Sequence, residues 1–187
     1  MQRPLPQYRA LLQAYPDKHK IAAKALLDAI GGEVRRSLSD AVNTCALRMS
    51  YCLNVAGQKI RRMPGLYELP GARSPLRSPA PARSDLYVIR AKEMKQYLDV
   101  EYGRGTLIYD AARNPTEIVN LQRQTQGVIV FDWEGRPRDF GAGGHVDLFR
   151  LWPSGDNLPR LEPACFGECF WWTIGGPMKA YLWETLP

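Results

Sequence analysis

The sequence predicts an α+β fold in which helices formed early in the chain pack on an antiparallel sheet formed late. Two observations carry this. Apolar residues recur at helical spacing mainly in the first hundred or so residues, whereas period-two alternation dominates the second half. The chain of 187 residues, 45% of them hydrophobic, suffices for one compact domain with a real core. Residues 6–30 read as helical, broken near Pro16, with Ile21, Ala25, Leu26 and Ile30 as an apolar stripe that Gly31 and Gly32 end. A second helix starts near Asn43 or Thr44, either of which can cap it, and stops at Gly57. It places Cys45, Met49, Cys52, Leu53 and Ala56 on one core-facing side. Residues 64–84 are rich in Pro, Arg and Ser and read as a loop, because Pro70, Pro75, Pro79 and Pro81 suit neither a helix interior nor a central strand. Asp85–Arg90 reads as a strand and Ala91–Tyr102 as a helix ending at Gly103. Gly127–Asp132, His145–Leu151 and Lys179–Glu184 read as strands, and no internal repeat is present.

Composition narrows the function. No run of about 18 apolar residues occurs, so no membrane insertion is expected. The N-terminal segment lacks the apolar core and cleavage site of a secretory signal, so export would use another route. The formal net charge of +6 suits attraction to a polyanion, either an acidic cell wall or nucleic acid. The basic residues form no block and no nucleic-acid-binding signature accompanies them, so nucleic acid is not the expected partner. Of the four cysteines, Cys45, Cys52, Cys165 and Cys169, none form the paired Cys-X-X-Cys spacing of a structural zinc site, and neither metal nor cofactor is expected. Cys165 and Cys169 could close a small disulfide loop if the backbone turns there, or stay as two thiols.

Two histidines are present. His19 lies in the charged segment PDKHK and reads as solvated, whereas His145 follows the glycine-rich turn GAGG and opens an apolar strand. A histidine there gains catalytic weight only if a nucleophile faces it. Cys45 is the candidate. A buried cysteine packs as a small hydrophobe, but one in a first helical turn sits where unsatisfied N–H groups and the helix dipole stabilise a thiolate. Cys52, two turns deeper, has no such advantage and reads as core. A third group would orient the imidazole. Asp147, two residues from His145 on the same strand face, lies about 7 Å along the strand. Asp156 and Glu168, from the segment beyond that strand, are alternatives.

The stretch NTCALRMSYCLN, Asn43 to Asn54, resembles the nucleophile helix of the fourth family of type VI secretion amidase effectors. That family carries the pattern Asn-X-Cys-X-X-Arg-Met-Ser-Tyr-X-Leu-Asn, matched here by Asn43, Cys45, Arg48, Met49, Ser50, Tyr51, Leu53 and Asn54. GGHVDL resembles the family's histidine strand and GVIVF the strand before it, while IGGEVRRSL, YVIRAKEMKQYL and YLWETLP extend the likeness over most of the chain. The resemblance implies a papain-like, NlpC-type α+β fold, with the cysteine helix packed on an antiparallel sheet and residues 1–187 forming a single amidase domain. It implies a cysteine amidase that cuts peptidoglycan stem peptides between D-glutamate and meso-diaminopimelate. The effector would be exported by the type VI secretion machinery, act in the periplasm of the target cell, and be neutralised at home by a cognate immunity protein. It also implies a Cys165–Cys169 disulfide.

Two departures stand out. The family's third catalytic residue is an aspartate near or inside the cysteine loop, where this chain has CFGEC, with Gly167 at that place and Glu168 beside it. Asp147, Glu168 and Asp156 therefore compete for the role. The Pro/Arg-rich segment 64–84 is also longer than the family pattern. The competing reading from the residues alone is a basic, non-catalytic wall- or nucleic-acid-binding module with Cys45 as inert core. A papain-like dyad turned to acyl transfer or protein cleavage is a third.

Overall fold

The computed structural model describes residues 2–40, 42–66, 68–71, 85–110, 112–113, 125–133, 144–153, 159–161 and 178–185. Five helices and seven strands are described: α1 (Tyr8–Ala14), α2 (Ala23–Ile30), α3 (Gly32–Ser37), α4 (Cys45–Val55), β1 (Glu68–Pro70), β2 (Leu86–Val88), α5 (Ala91–Tyr102), β3 (Thr106–Asp110), β4 (Thr125–Trp133), β5 (Gly144–Pro153), β6 (Pro159–Leu161) and β7 (Met178–Glu184). The helices come first and the main sheet is antiparallel throughout, in the order β3-β7-β4-β5-β6. β1 and β2 form a separate antiparallel pair.

The segment 6–30, expected as one broken helix, is two: α1 and α2, separated by an extended Tyr15 and a turn. Proline disfavours helical backbone in the residue before it, and Tyr15, before Pro16, has φ −71° and ψ 124°. The glycine pair ends the second of these helices after Ile30, as expected, and a further short helix, α3, starts at Gly32. Gly31, at φ 62°, caps α2 and redirects the chain into α3. Glu33 in the first turn and Arg35 and Arg36 in the last suit the dipole of α3. The segment 64–84, expected as loop, contains β1 at its start; Pro70 is tolerated because it ends a strand of a two-stranded sheet. Residues 72–84 lie outside the described set. β3 and β6, which the periodicity does not predict, are short, at five and three residues.

Two clusters of buried side chains sandwich the sheet. Tyr8 and Leu11 of α1, Met49 and Leu53 of α4, and Met94 and Leu98 of α5 pack with Val128, Val130, Val146 and Leu148. Ile129, Phe131, Phe149, Ala180 and Leu182 form the other cluster, as alternation along β4, β5 and β7 requires. Gly127 allows the close passage of β4 and β7, since a Cβ there would run into the Trp183 carbonyl oxygen. Trp183 in turn donates from its indole to the Gly103 carbonyl at 2.7 Å, tying β7 to the end of α5.

Helical periodicity predicts that α4 buries one face; it instead buries nearly all of itself. Leu47 points away from the main cluster, into a third one with Leu26, Ile30, Leu69 and Tyr87. The polar residues Arg48, Ser50 and Asn54 are buried too, and each is hydrogen-bonded, as burial demands. Ser50 Oγ donates to the Val88 carbonyl and accepts from the Val88 amide, both at 3.0 Å. Asn54 donates to the Leu86 carbonyl at 2.9 Å and accepts from the Ile60 amide at 2.8 Å. The helix is thus fixed to β2 by side chains that mimic a neighbouring strand.

Candidate active site

Cys45 is the first residue of α4. Its amide donates to Asn43 Oδ1 at 3.1 Å, and Thr44 holds the N-cap position without a side-chain cap, its hydroxyl accepting instead from Arg48 Nε at 2.9 Å. α4 packs against β5, and this brings the thiol to His145 at the start of that strand. Cys45 and His145 are each 7% exposed. His145 stacks on Phe131, its cross-strand partner, with ring centroids 6.2 Å apart and planes 30° apart. Its Nε2 lies 3.5 Å from Asp147 Oδ2. Asp147 is 3% exposed, and its Oδ1 accepts from the Leu148 amide at 2.8 Å.

Burial alone would lower the basicity of this imidazole, but the neighbouring Asp147 carboxylate and then the Cys45 thiol outweigh it, and the His145 pKa is pushed up to about 10. A protonated imidazole facing the thiol can serve it as a proton partner. Cys52 is different. It is fully buried, its thiol donates to the Leu11 carbonyl at 3.2 Å, and burial, then the Asp147 charge, push its ionisation up. It is core, as its position in the helix predicts. His19 is exposed, with its amide bonded to Asp17 at 2.9 Å.

The structure therefore brings together Cys45, His145 and Asp147. Asp156, Cys165, Glu168 and Cys169 lie outside the described residues. Among the described residues no group of three or more His, Cys, Asp or Glu side chains is placed to hold a metal, and no helix is long and apolar enough to cross a membrane. One neighbour escapes the sequence reading. Burial, and then the charge of Asp147, push the ionisation of the Tyr15 phenol well up. The only signal for it in the sequence is the Tyr15–Pro16 dipeptide, which marks an extended residue and nothing more. Arg48, which the sequence marks only as a motif position, reaches across to the same segment: its guanidinium donates to the carbonyls of Pro16 and, at 2.7 Å, Ile21.

A thiol on the first turn of a buried helix, packed on an antiparallel sheet that presents imidazole and carboxylate, defines a papain-like α+β protein equipped for thiol chemistry. Residues 41–158 match the family described as type VI secretion system (T6SS) amidase effector protein 4. The chain belongs to that family, and is an amidase effector. No curated protein matches the sequence. Among solved structures, the type VI effector Tae4 from Enterobacter cloacae is 21% identical, with a TM-score of 0.66 and full coverage of both chains. The effector Tae4 from Salmonella typhimurium, solved in complex with the immunity protein Tai4 from Enterobacter cloacae, is 22% identical, with a TM-score of 0.63, covering 97% of this chain and 99% of that one. The Tae4–Tai4 effector–immunity complex from Enterobacter cloacae gives 20% identity and a TM-score of 0.65 over the same shares.

Proposed function

We propose that this effector hydrolyses the amide bond between D-glutamate and meso-diaminopimelate in peptidoglycan stem peptides, with Cys45 as nucleophile, His145 as acid and base, and Asp147 as the group that orients the imidazole. The observation that carries the reading is the meeting of Cys45 and His145 across α4 and β5 in a chain of the amidase effector family. The Cys45 thiolate attacks the glutamyl carbonyl carbon. The His145 imidazolium gives its proton to the departing diaminopimelate amine, and a thioester remains on Cys45. Water then attacks the thioester. His145 takes one of its protons, the thiolate is restored, and the new carboxylic acid leaves and gives up its proton to solvent. With Nε2 turned to Asp147, Nδ1 is the nitrogen that serves the thiol and the leaving amine. Stacking on Phe131 and the charge of Asp147 hold the ring through both steps.

Residues 1–187 act as a single amidase domain, whose net charge of +6 favours the acidic wall. Delivered to a target cell, the enzyme works in that cell's periplasm, and a cognate immunity protein protects the producer, as the effector–immunity complexes of the similar structures suggest. Cys165 and Cys169 pair in that oxidising compartment. The reading is tested by digesting purified diaminopimelate-type peptidoglycan and weighing the products. Fragments with a free diaminopimelate amine and a terminal D-glutamate are expected. Intact sacculi, or fragments cut only at another bond, refute the assignment.

A further inference from the structure

We infer that Gly144 is a positioning residue of this site: its missing side chain lets β5 start hard against the Phe131 carbonyl and the first residue of α5, and that close seat sets where His145, the next residue, holds its imidazole. The inference rests on the proposed role of His145 as acid and base. Gly144 is the last residue of the glycine-rich turn GAGG that precedes the histidine. A glycine serves a fold either by adopting a left-handed backbone or by leaving room for a close approach. The described glycines with positive φ are Gly31, Gly32, Gly57, Gly65 and Gly103, and Gly144 is not among them. It lies in β5, paired with Asp132, with a backbone that other residues could adopt. What it supplies is room.

That room is narrow and its walls are stiff. A Cβ on Gly144 would stand 2.8 Å from the Phe131 carbonyl oxygen and 3.3 Å from the Ala91 Cβ. The first separation is well inside van der Waals contact, and the atom it meets is backbone. Phe131 lies on β4, held between His145 of β5 and Ala180 of β7, so its carbonyl cannot step aside without opening a ladder. Ala91, the second wall, is the first residue of α5, a helix whose Met94 and Leu98 are fully buried in the core. A methyl group at Gly144 therefore displaces the start of β5 rather than its neighbours. The displacement falls one residue from the imidazole. His145 stacks on the ring of the same Phe131, with centroids 6.2 Å apart, and its Nε2 is 3.5 Å from Asp147 Oδ2. Both contacts are set by how closely β5 lies on β4, and a catalytic base tolerates little misplacement.

Two variants press on this room from opposite sides. Gly144→Ala puts a methyl group into it, and Ala91→Val crowds it from α5 while leaving the sequence of β5 unchanged. The chain has two histidines, so carbon-13 labelling of histidine gives two imidazole signals by NMR, and His19→Gln identifies the one from His145. Gly144→Ala is expected to lower kcat on diaminopimelate-type stem peptides by about thirtyfold with KM unchanged. The midpoint of the His145 titration should fall by about one pH unit, as the ring loses its seat beside Asp147. Ala91→Val should move both in the same direction and less far. Thermal unfolding is measured alongside, and turnover is compared where every variant is folded. A folded Gly144→Ala protein with wild-type kcat and midpoint overturns the inference. So does one that loses only thermal stability, or one whose KM rises at unchanged kcat. If Gly144→Ala does not fold, Ala91→Val decides by the same measurements, and an unmoved kcat and midpoint there overturn the inference. His145→Ala is run in parallel. Retained turnover in it overturns the proposed role of His145 and the positioning role with it, whereas an inactive His145→Ala beside an unaffected Gly144→Ala overturns the positioning role alone.

Discussion

Replacing Ser50 with alanine removes one oxygen from the middle of α4, and the structure sets the cost. That oxygen is fully buried and exchanges two 3.0 Å hydrogen bonds with the backbone of Val88. A net contribution of about 1 kcal/mol per bond gives roughly 2 kcal/mol, and the buried amide and carbonyl left without partners raise the total to about 3 kcal/mol. Against a typical stability of about 5–15 kcal/mol, the variant stays folded at room temperature but unfolds at clearly lower urea. Asn54 and Arg48 still hold the helix, so turnover at room temperature should fall less than about tenfold. Urea melts followed by tryptophan fluorescence measure the loss, with the slope expected to be unchanged because the same surface unfolds. A loss under about 1 kcal/mol would show that Val88 finds other partners and that Ser50 is not an anchor. Abolished turnover at undiminished stability would place Ser50 in the chemistry instead.

Four further outcomes are expected. Cys45→Ala should remove turnover by several orders of magnitude and His145→Ala nearly as much, with the double variant little worse than either, because a dyad acts as a unit; Cys52→Ala should keep most activity, and the reverse ranking of the cysteines would name the wrong nucleophile. The His145 pKa is raised from 6.5 to about 10 in the folded protein, so its stabilising contribution is complete below 6.5 and is lost as pH climbs toward 10. Urea melts on either side of that window should show an alkaline loss of stability that His145→Gln lacks; equal losses would refute the coupling. Free-thiol counting on the denatured, unreduced protein should find two thiols, Cys45 and Cys52, and four would disprove the Cys165–Cys169 bond. Asp147→Asn should slow turnover with little change in substrate binding while Glu168→Gln is mild, and the opposite order would move the third group to the cysteine loop.

The parts of the site that lie close together in sequence are legible in it. Cys45 announces itself through the capping residues before it and the helical stripe after it, and His145 and Asp147 share a face because strand side chains alternate. The class of fold is legible for the same reason, since periods of 3.6 and 2 are local signals. The illegible parts depend on contacts between distant segments. Arg48, Ser50 and Asn54 look like the solvent face of an amphipathic helix, yet all three are buried, because their partners are backbone groups at Pro16, Val88 and Leu86 that no local pattern reveals. Tyr15 belongs to the same class. β1 is hidden by a proline that an edge position tolerates, and the short helix α3 by glycines that ordinarily stop a helix.

The place of β7 in the sheet bears on when the enzyme comes into being. It is the last described strand in chain order, yet it lies between β3 and β4, and Met178, Ala180 and Leu182 fill the cluster on which Phe131 rests. A nascent chain that has emerged only as far as β5 holds both Cys45 and His145 but has no strand to join β3 to β4. Pairings between segments so far apart form slowly, because the intervening chain must be ordered first. Translation order would then act as a delay: a ribosome-bound fragment would carry Cys45 without the complete sheet that places His145 beside it. Ribosome-stalled chains ending before residue 178 should accordingly alkylate at Cys45 no faster than an ordinary free cysteine.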